Sequence, residues 1–295
     1  MAKTRQVQLS QLVDMSDPHA VLEEVKYNFI HHYHIADFFQ IRASFRDFLD
    51  FYEGKFPGYR ACNTKFHDKT HVTDAVLAMS RLIDGYNIKN PKLPVKLVII
   101  AILASIFHDS GYVQADDDTK GTGAKYTLEH VERSADFIKK YFKRIGFSEK
   151  EALSARKMIF CTGVTSEIVK IEFDKKEEKI LGFMLGSSDL LGQMASRNYL
   201  EKLIFLYSEF KEGHVEGYSS ELSLLKDTLN FYSDTKKKLS SLLGGVNKHA
   251  SVHFKKRYKL DADMYHIAVE AQMDYLEKIL KNIKKPVKDM LKRKL

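Results

Sequence analysis

The chain has 295 residues, 44% hydrophobic and 29% charged. That composition suits one large soluble domain and excludes low-complexity, collagen-like and disordered classes. The formal charge of +8 belongs to the tail, because residues 278–295 hold eight basic residues and one acid, so the near-neutral body offers no basis for specific nucleic-acid binding.

Few chain breakers (Gly 15, Pro 5) and no Trp favour helices over an all-β fold of many tight turns. Leu22, Val25, Phe29, Ile30 and Tyr33 step by three and four, and Phe38, Ile41, Phe45, Phe48, Leu49 and Tyr52 continue that spacing. Two helices are expected there, ending near Gly54 and Pro57. Val72–Tyr86 reads as a third, and Pro91 and Pro94 mark a loop and the next start. Leu97–Phe107 is apolar nearly all round, as a fully buried helix or a buried strand is, and a helix is favoured because no alternating strand partner is visible. Its longest apolar run, Leu97–Ala104, is far shorter than the roughly 17–25 residues that cross a bilayer. Asp116–Ala124 is a loop, and Thr127–Ile145 is an amphipathic helix stopped by Gly146. Ser148 with Glu151 has capping-box spacing and opens a helix toward Cys161. Val169–Phe173 alternates and is the only strand candidate. Lys179–Ala195, Tyr199–Phe210, Glu221–Leu243 and Asp261–Ile283 complete the helices. Two cysteines, Cys62 and Cys161, make neither a disulfide framework nor a four-cysteine zinc site. With no apolar stretch of signal-peptide length at the N-terminus, a cytoplasmic protein is expected.

Five stretches carry residues of metal-ligand type. His67 and His71 are four apart at a helix start, so both are expected on one side. His108-Asp109 closes the most apolar segment, where a buried carboxylate is costly unless a cation compensates it. Glu129-His130-Val131-Glu132-Arg133-Ser134-Ala135 lies on an amphipathic helix. Gly186-Ser187-Ser188-Asp189 places a lone acid between apolar turns. His31-His32-Tyr33-His34 has no acid within a turn except Asp37, and is read as structural or surface histidine. Imidazole and carboxylate without thiolate suit Zn, Mn, Fe, Co, Ni or Mg.

Taken together, these stretches resemble the HD-domain metal-dependent phosphohydrolases, in particular the branch with the class I cyclic nucleotide phosphodiesterases. Phe66-His67-Asp68-Lys69-Thr70-His71-Val72-Thr73-Asp74 is similar to the signature YHNxxHxxDV. His108-Asp109 is similar to the pair that names the superfamily, and Asp189 to its distant Asp. The resemblance covers about residues 60–195. It implies an all-α, single HD-domain helical bundle with extra N- and C-terminal helices. It further implies that His71, His108, Asp109 and Asp189 hold one divalent metal, that Asp109 bridges to a second, and that His67 protonates the leaving oxygen. A hydroxide shared by the metals would be the nucleophile. His130 and its helix are similar to the HPEIGA-like helix of the cyclic-dinucleotide branch, which implies His130 as a ligand of the second metal. Gly111 and Tyr112 stand where phosphodiesterases carry the last Asp and His of HDxDH. Asp74, Tyr112, Glu129, Lys69 and Arg133 are candidates for supporting the site or touching substrate, and Lys125 and Arg197 for phosphate contacts.

The domain organisation expected is an N-terminal arm over 1–20, the helical domain over 21–285 and a basic tail over 286–295. The function expected is hydrolysis of a phosphoester of a small nucleotide-like substrate, cyclic nucleotide diesters included, with one or two divalent metals. The rival is an HD module that binds metal and nucleotide without turnover.

Overall fold

The computed structural model describes residues 7–163, 168–282, 289 and 291. The chain is all-α, with eleven α-helices among the described residues. They are α1 (Pro18–Ile30), α2 (Phe39–Tyr52), α3 (Lys69–Lys89), α4 (Val95–Phe107), α5 (His130–Arg144), α6 (Glu149–Phe160), α7 (Lys176–Ala195), α8 (Tyr199–Glu212), α9 (Glu221–Lys237), α10 (His249–Tyr258) and α11 (Met264–Lys281).

The centre is formed by α3, α4 and α7, which pack on one another. α3 is buried along almost its whole length. Asp68 opens it, its carboxylate accepting the His71 N–H at 2.9 Å and satisfying one of the free donors of a helix start. α4 is apolar all round and buried from Val98 to Phe107. The segment Val95–Tyr112 is apolar and long enough to cross a membrane by length and composition, and 83% of it is buried inside the protein. Its neighbours are α2, α3, α6 and α7, so protein rather than lipid covers it.

Two glycines let α7 come close. A Cβ on Gly186 would stand 2.3 Å from the Cys161 carbonyl oxygen, and one on Gly192 would stand 2.9 Å from the backbone nitrogen of Ala75. Asp189 lies between them, so the glycine contacts set how near its carboxylate comes to α3. An aromatic cluster joins α2, α4 and α5: Phe51 is 4.5 Å from Phe137, and Phe107 is 4.5 Å from Tyr141. α6 begins at the expected capping box, with the Ser148 N–H donating to Glu151 at 2.8 Å and the Glu151 N–H to the Ser148 hydroxyl at 3.4 Å.

Several boundaries differ from the sequence reading. Residues 169–173 are a turn and irregular chain. The one β-bridge among the described residues is the isolated pair Tyr59 and Ala115, so the alternating run pairs with no strand there, and the Ile171 N–H donates locally to the Ile168 carbonyl. Thr127–Glu129 precede α5, because a 3-10 turn over Gly123–Tyr126 delays the helix until His130. The last helical stretch expected to reach Leu243 widens into a π turn over Lys238–Leu242. α10 was not anticipated. Leu9, in the expected N-terminal arm, is buried in the core, and α1 begins at Pro18 with Asp17 as its cap. Most of the basic tail and the Ile283 end of the last helix lie outside the described residues.

Candidate metal centre

Four side chains from three central elements meet at the inner end of α4. His71 comes from α3, His108 and Asp109 follow α4, and Asp189 comes from α7. His71 Nε2 is 3.0 Å from Asp109 Oδ2 and 3.2 Å from Asp189 Oδ1. His108 Nε2 is 3.5 Å from each of the same oxygens. Ligands bonded at about 2.0–2.2 Å to one ion stand about 3.0–3.5 Å from one another, the size of these four separations; the ligand atoms of His71, His108 and Asp109 all lie within 4.8 Å of one another, and Asp189 approaches the two imidazoles.

The tautomers agree. His108 Nδ1 donates to the Ser105 carbonyl at 2.8 Å, which leaves the lone pair on Nε2. That Nε2 and Asp109 Oδ2 are buried and make no well-formed hydrogen bond, only the close approaches above, an arrangement that a cation between them would satisfy. Without an ion, burial would push the His71 pKa down, but Asp109 and Asp189 outweigh it and raise it to about 10. Burial acts against the Asp189 charge too, yet His108 and His71 hold its carboxyl well below the usual range.

One further imidazole faces the other oxygen of Asp109. His130, the first residue of α5, donates from Nδ1 to the Thr127 carbonyl at 2.6 Å, and its Nε2 lies 3.9 Å from Asp109 Oδ1. Burial lowers its pKa, which keeps a lone pair on Nε2. Asp109 thus has His71 and His108 near one oxygen and His130 near the other.

Gly111 has a packing reason. A Cβ there would lie 2.1 Å from the His130 carbonyl oxygen, so only glycine lets α5 bring His130 so close. The Gly111 N–H donates to Ser134 Oγ at 2.9 Å. Tyr112 packs against two rings that themselves lie 6.1 Å apart, 4.2 Å from His67 and 4.6 Å from His130 and nearly parallel to both.

His67 is placed differently from the one-turn picture. α3 starts at Lys69 with Asp68 as its cap, so His67 precedes the helix and its ring meets His71 edge-on at 5.5 Å. Its position comes from the Tyr112 stack and from Glu209 of α8, whose Oε2 is 2.7 Å from His67 Nδ1. Glu209 Oε1 also accepts the backbone N–H groups of Lys65 and Phe66 at 2.6 Å each. Glu209 is 5% exposed, and although burial opposes its charge, the His67 bond and these donors keep its pKa below the ordinary value. No motif marks Glu209, 142 residues from His67.

The remaining candidates do not meet at the centre. Lys69 pairs with Glu53 at 2.8 Å on the surface. Glu129 is exposed before α5. Arg133 donates to the carbonyls of Gly111 at 2.7 Å and Val113 at 3.3 Å, bracing the loop from behind. Asp74 is buried against Gly192 of α7, and burial raises its pKa to about 7. Lys125 is tied to Asp118 at 2.5 Å, and exposed Arg197 lies near α11, its carbonyl accepting from Gln272.

Beside the centre a cleft of about 1160 Å³ opens between α5, α6, α7, α8 and α9. His67, Tyr112, His130 and Asp189 form its floor, and its walls include Phe160, Leu190, Tyr199, Leu206, Phe210 and Phe231. Lys238, at the π turn, faces it and donates to the Gly163 carbonyl at 2.9 Å.

The fold and site thus define an all-α protein with a buried histidine–aspartate cluster able to hold metal, at the base of a large cleft. The chain belongs to the Npun_R2479-like family, whose model matches residues 55–240. That span contains every residue of the centre and the whole cleft lining. Neither the curated proteins nor the solved structures gave a match.

Proposed function

We propose that the protein is a metal-dependent phosphohydrolase of the HD-domain kind, acting on a phosphoester of a nucleotide-like small molecule. The observation that carries this reading is the meeting of His71, His108, Asp109 and Asp189 around buried Nε2 and Oδ2 atoms that make no well-formed hydrogen bond, on a cleft floor shared with His67. These four residues would hold a divalent ion, and His130 with Asp109 would hold a second. Such ions neutralise phosphoryl charge and lower the pKa of water.

The chain's own residues supply the rest. Glu209 fixes the His67 ring so that Nδ1–H points to the carboxylate, which leaves Nε2 for the substrate. Tyr112 holds the plane of that ring. His67 then carries a proton at Nε2 to the leaving oxygen, a contribution of about 10²–10⁴-fold in general acid catalysis. The apolar, aromatic walls exclude water and accept a base or other flat ring.

The test is a metal analysis followed by hydrolysis assays on a panel of nucleotide monoesters, diesters and cyclic diesters with Mn²⁺, Mg²⁺, Co²⁺, Ni²⁺ or Zn²⁺. Metal-dependent release of phosphate or nucleoside monophosphate is expected, and its loss in His108→Ala. A fully metal-loaded protein that binds nucleotides and turns none over would replace the enzyme with a binding module.

A further inference from the structure

The histidines after α1 meet an acid that sequence distance hides. His31 Nδ1 and His32 Nε2 are both 2.8 Å from Oδ1 of Asp84, which lies on α3. His253 of α10 puts its Nδ1 2.7 Å from the other oxygen, Oδ2. Three imidazoles, two from the turn after α1 and one from α10, thus converge on one buried carboxylate.

We propose that His31, His32 and Asp84 form a second, zinc-class metal site that clamps α1 to α3, with His253 fixing Asp84 from behind. Three observations support it. First, each of the three residues offers one ligand atom, and those atoms lie within 4.8 Å of one another. Second, the roles divide cleanly between the two carboxylate oxygens. His253 is fully buried and its Nε2 has no hydrogen-bond partner. A proton there would be stranded, so Nδ1 carries it and donates to Oδ2. A ligating carboxylate is commonly oriented by such a second bond. The His31 and His32 nitrogens both lie 2.8 Å from Oδ1, so with a metal in place of the shared protons they and Oδ1 would supply a two-nitrogen, one-oxygen set that suits zinc and leaves a fourth position for water. Third, the point is reachable. The His31 side chain is 39% exposed, whereas those of His32 and Asp84 are 5% and 4% exposed.

A hydrogen-bonded staple is the rival. In it each neutral ring would donate one N–H to the same oxygen, with the two rings 4.4 Å apart, and the zinc titration below separates the two. The nearest buried cation on α3, Arg81, donates to the Tyr265 hydroxyl and packs on the Phe254 and Tyr265 rings. The imidazoles come from residues 31, 32 and 253, all outside the span matched by the family. The site would therefore fasten the flanking helices of this chain to the family's core, independently of any hydrolase activity.

The experiment uses the full chain, stripped with chelator and titrated with Zn²⁺ alone. Bound zinc is counted in the wild type and in a His31→Gln, His32→Gln double variant. The wild type should bind one more equivalent than the variant at micromolar free Zn²⁺, and zinc should raise its melting temperature by more. Phosphoester hydrolysis, where present, should persist in the variant. Equal zinc counts in two folded proteins would overturn the site. Should the double variant fail to fold, exposed His31→Gln serves: zinc at this site should weaken at least tenfold, and an unchanged titration would overturn the proposal. His253→Asn should weaken zinc by about 10–100-fold, the usual effect of losing a bond that orients a ligand.

Discussion

Glu209→Gln separates a positioning carboxylate from a merely structural one. Glutamine keeps the volume and one acceptor oxygen, so the N–H groups of Lys65 and Phe66 can stay satisfied. What is lost is the charged bond at 2.7 Å to His67 Nδ1, because the amide offers an N–H there or a neutral oxygen. Hydrogen bonds to charged groups contribute about 1.5–3 kcal/mol. Expressed in the transition state, where the ring must hold and release its proton, that range lowers kcat by about 10–150-fold. The assay compares a natural alkoxide leaving group with a nitrophenyl phosphoester, whose leaving group needs no proton. The first should suffer the full loss and the second much less, with metal content unchanged. His67→Asn should cost about 10²–10⁴-fold on the alkoxide substrate. Adding Glu209→Gln to it should cost nothing more, since both changes act through one ring. Additive losses, or equal losses on both substrates, would refute the positioning role.

Other outcomes follow from the same geometry. His108→Ala or Asp109→Ala should remove the metal and any hydrolysis together, as elemental analysis beside the activity assay will read. Metal-free protein should be less stable at alkaline pH. The His71 pKa is raised from about 6.5 unfolded to about 10 folded, so its contribution is complete below about pH 6.5 and is lost as pH rises toward about 10. Chelated samples melted across that window should show the decline, and metal-loaded samples a flatter profile with proton release on loading. Gly111→Ala drives a methyl into the His130 carbonyl at 2.1 Å and should cost about 1–3 kcal/mol while displacing His130 and Tyr112, seen as a lower melting temperature and weaker binding of a second ion.

The helical core and Asp109 are legible in the sequence for physical reasons, whereas His71, His108 and Asp189 join Asp109 as a set only through the family resemblance. An all-apolar run such as 97–107 can only be buried, and a carboxylate closing it demands a partner, so Asp109 announces itself. Spacing rules reach about one turn, and that is where legibility ends. His67 reads as a helix residue because four-residue spacing cannot show that Asp68 caps α3. Glu209 and Asp84 supply the acids that His67 and His31-His32 need, but from 142 and about 52 residues away, where only packing reveals them. α10 carries three basic residues in its last turn and little apolar periodicity, and its burial of Ala250, His253 and Phe254 is visible only once folded. Gly111 reads as a departure from the phosphodiesterase pattern, and the close approach of the His130 carbonyl explains it.

The most direct measurement is an anomalous-diffraction map from a crystal of the full chain loaded with Mn²⁺ or Zn²⁺. The account predicts a peak about 2.0–2.3 Å from His71 Nε2, His108 Nε2 and one oxygen each of Asp109 and Asp189. An ordered cluster with no peak at saturating metal, its imidazoles and carboxylates paired only with each other, would contradict it.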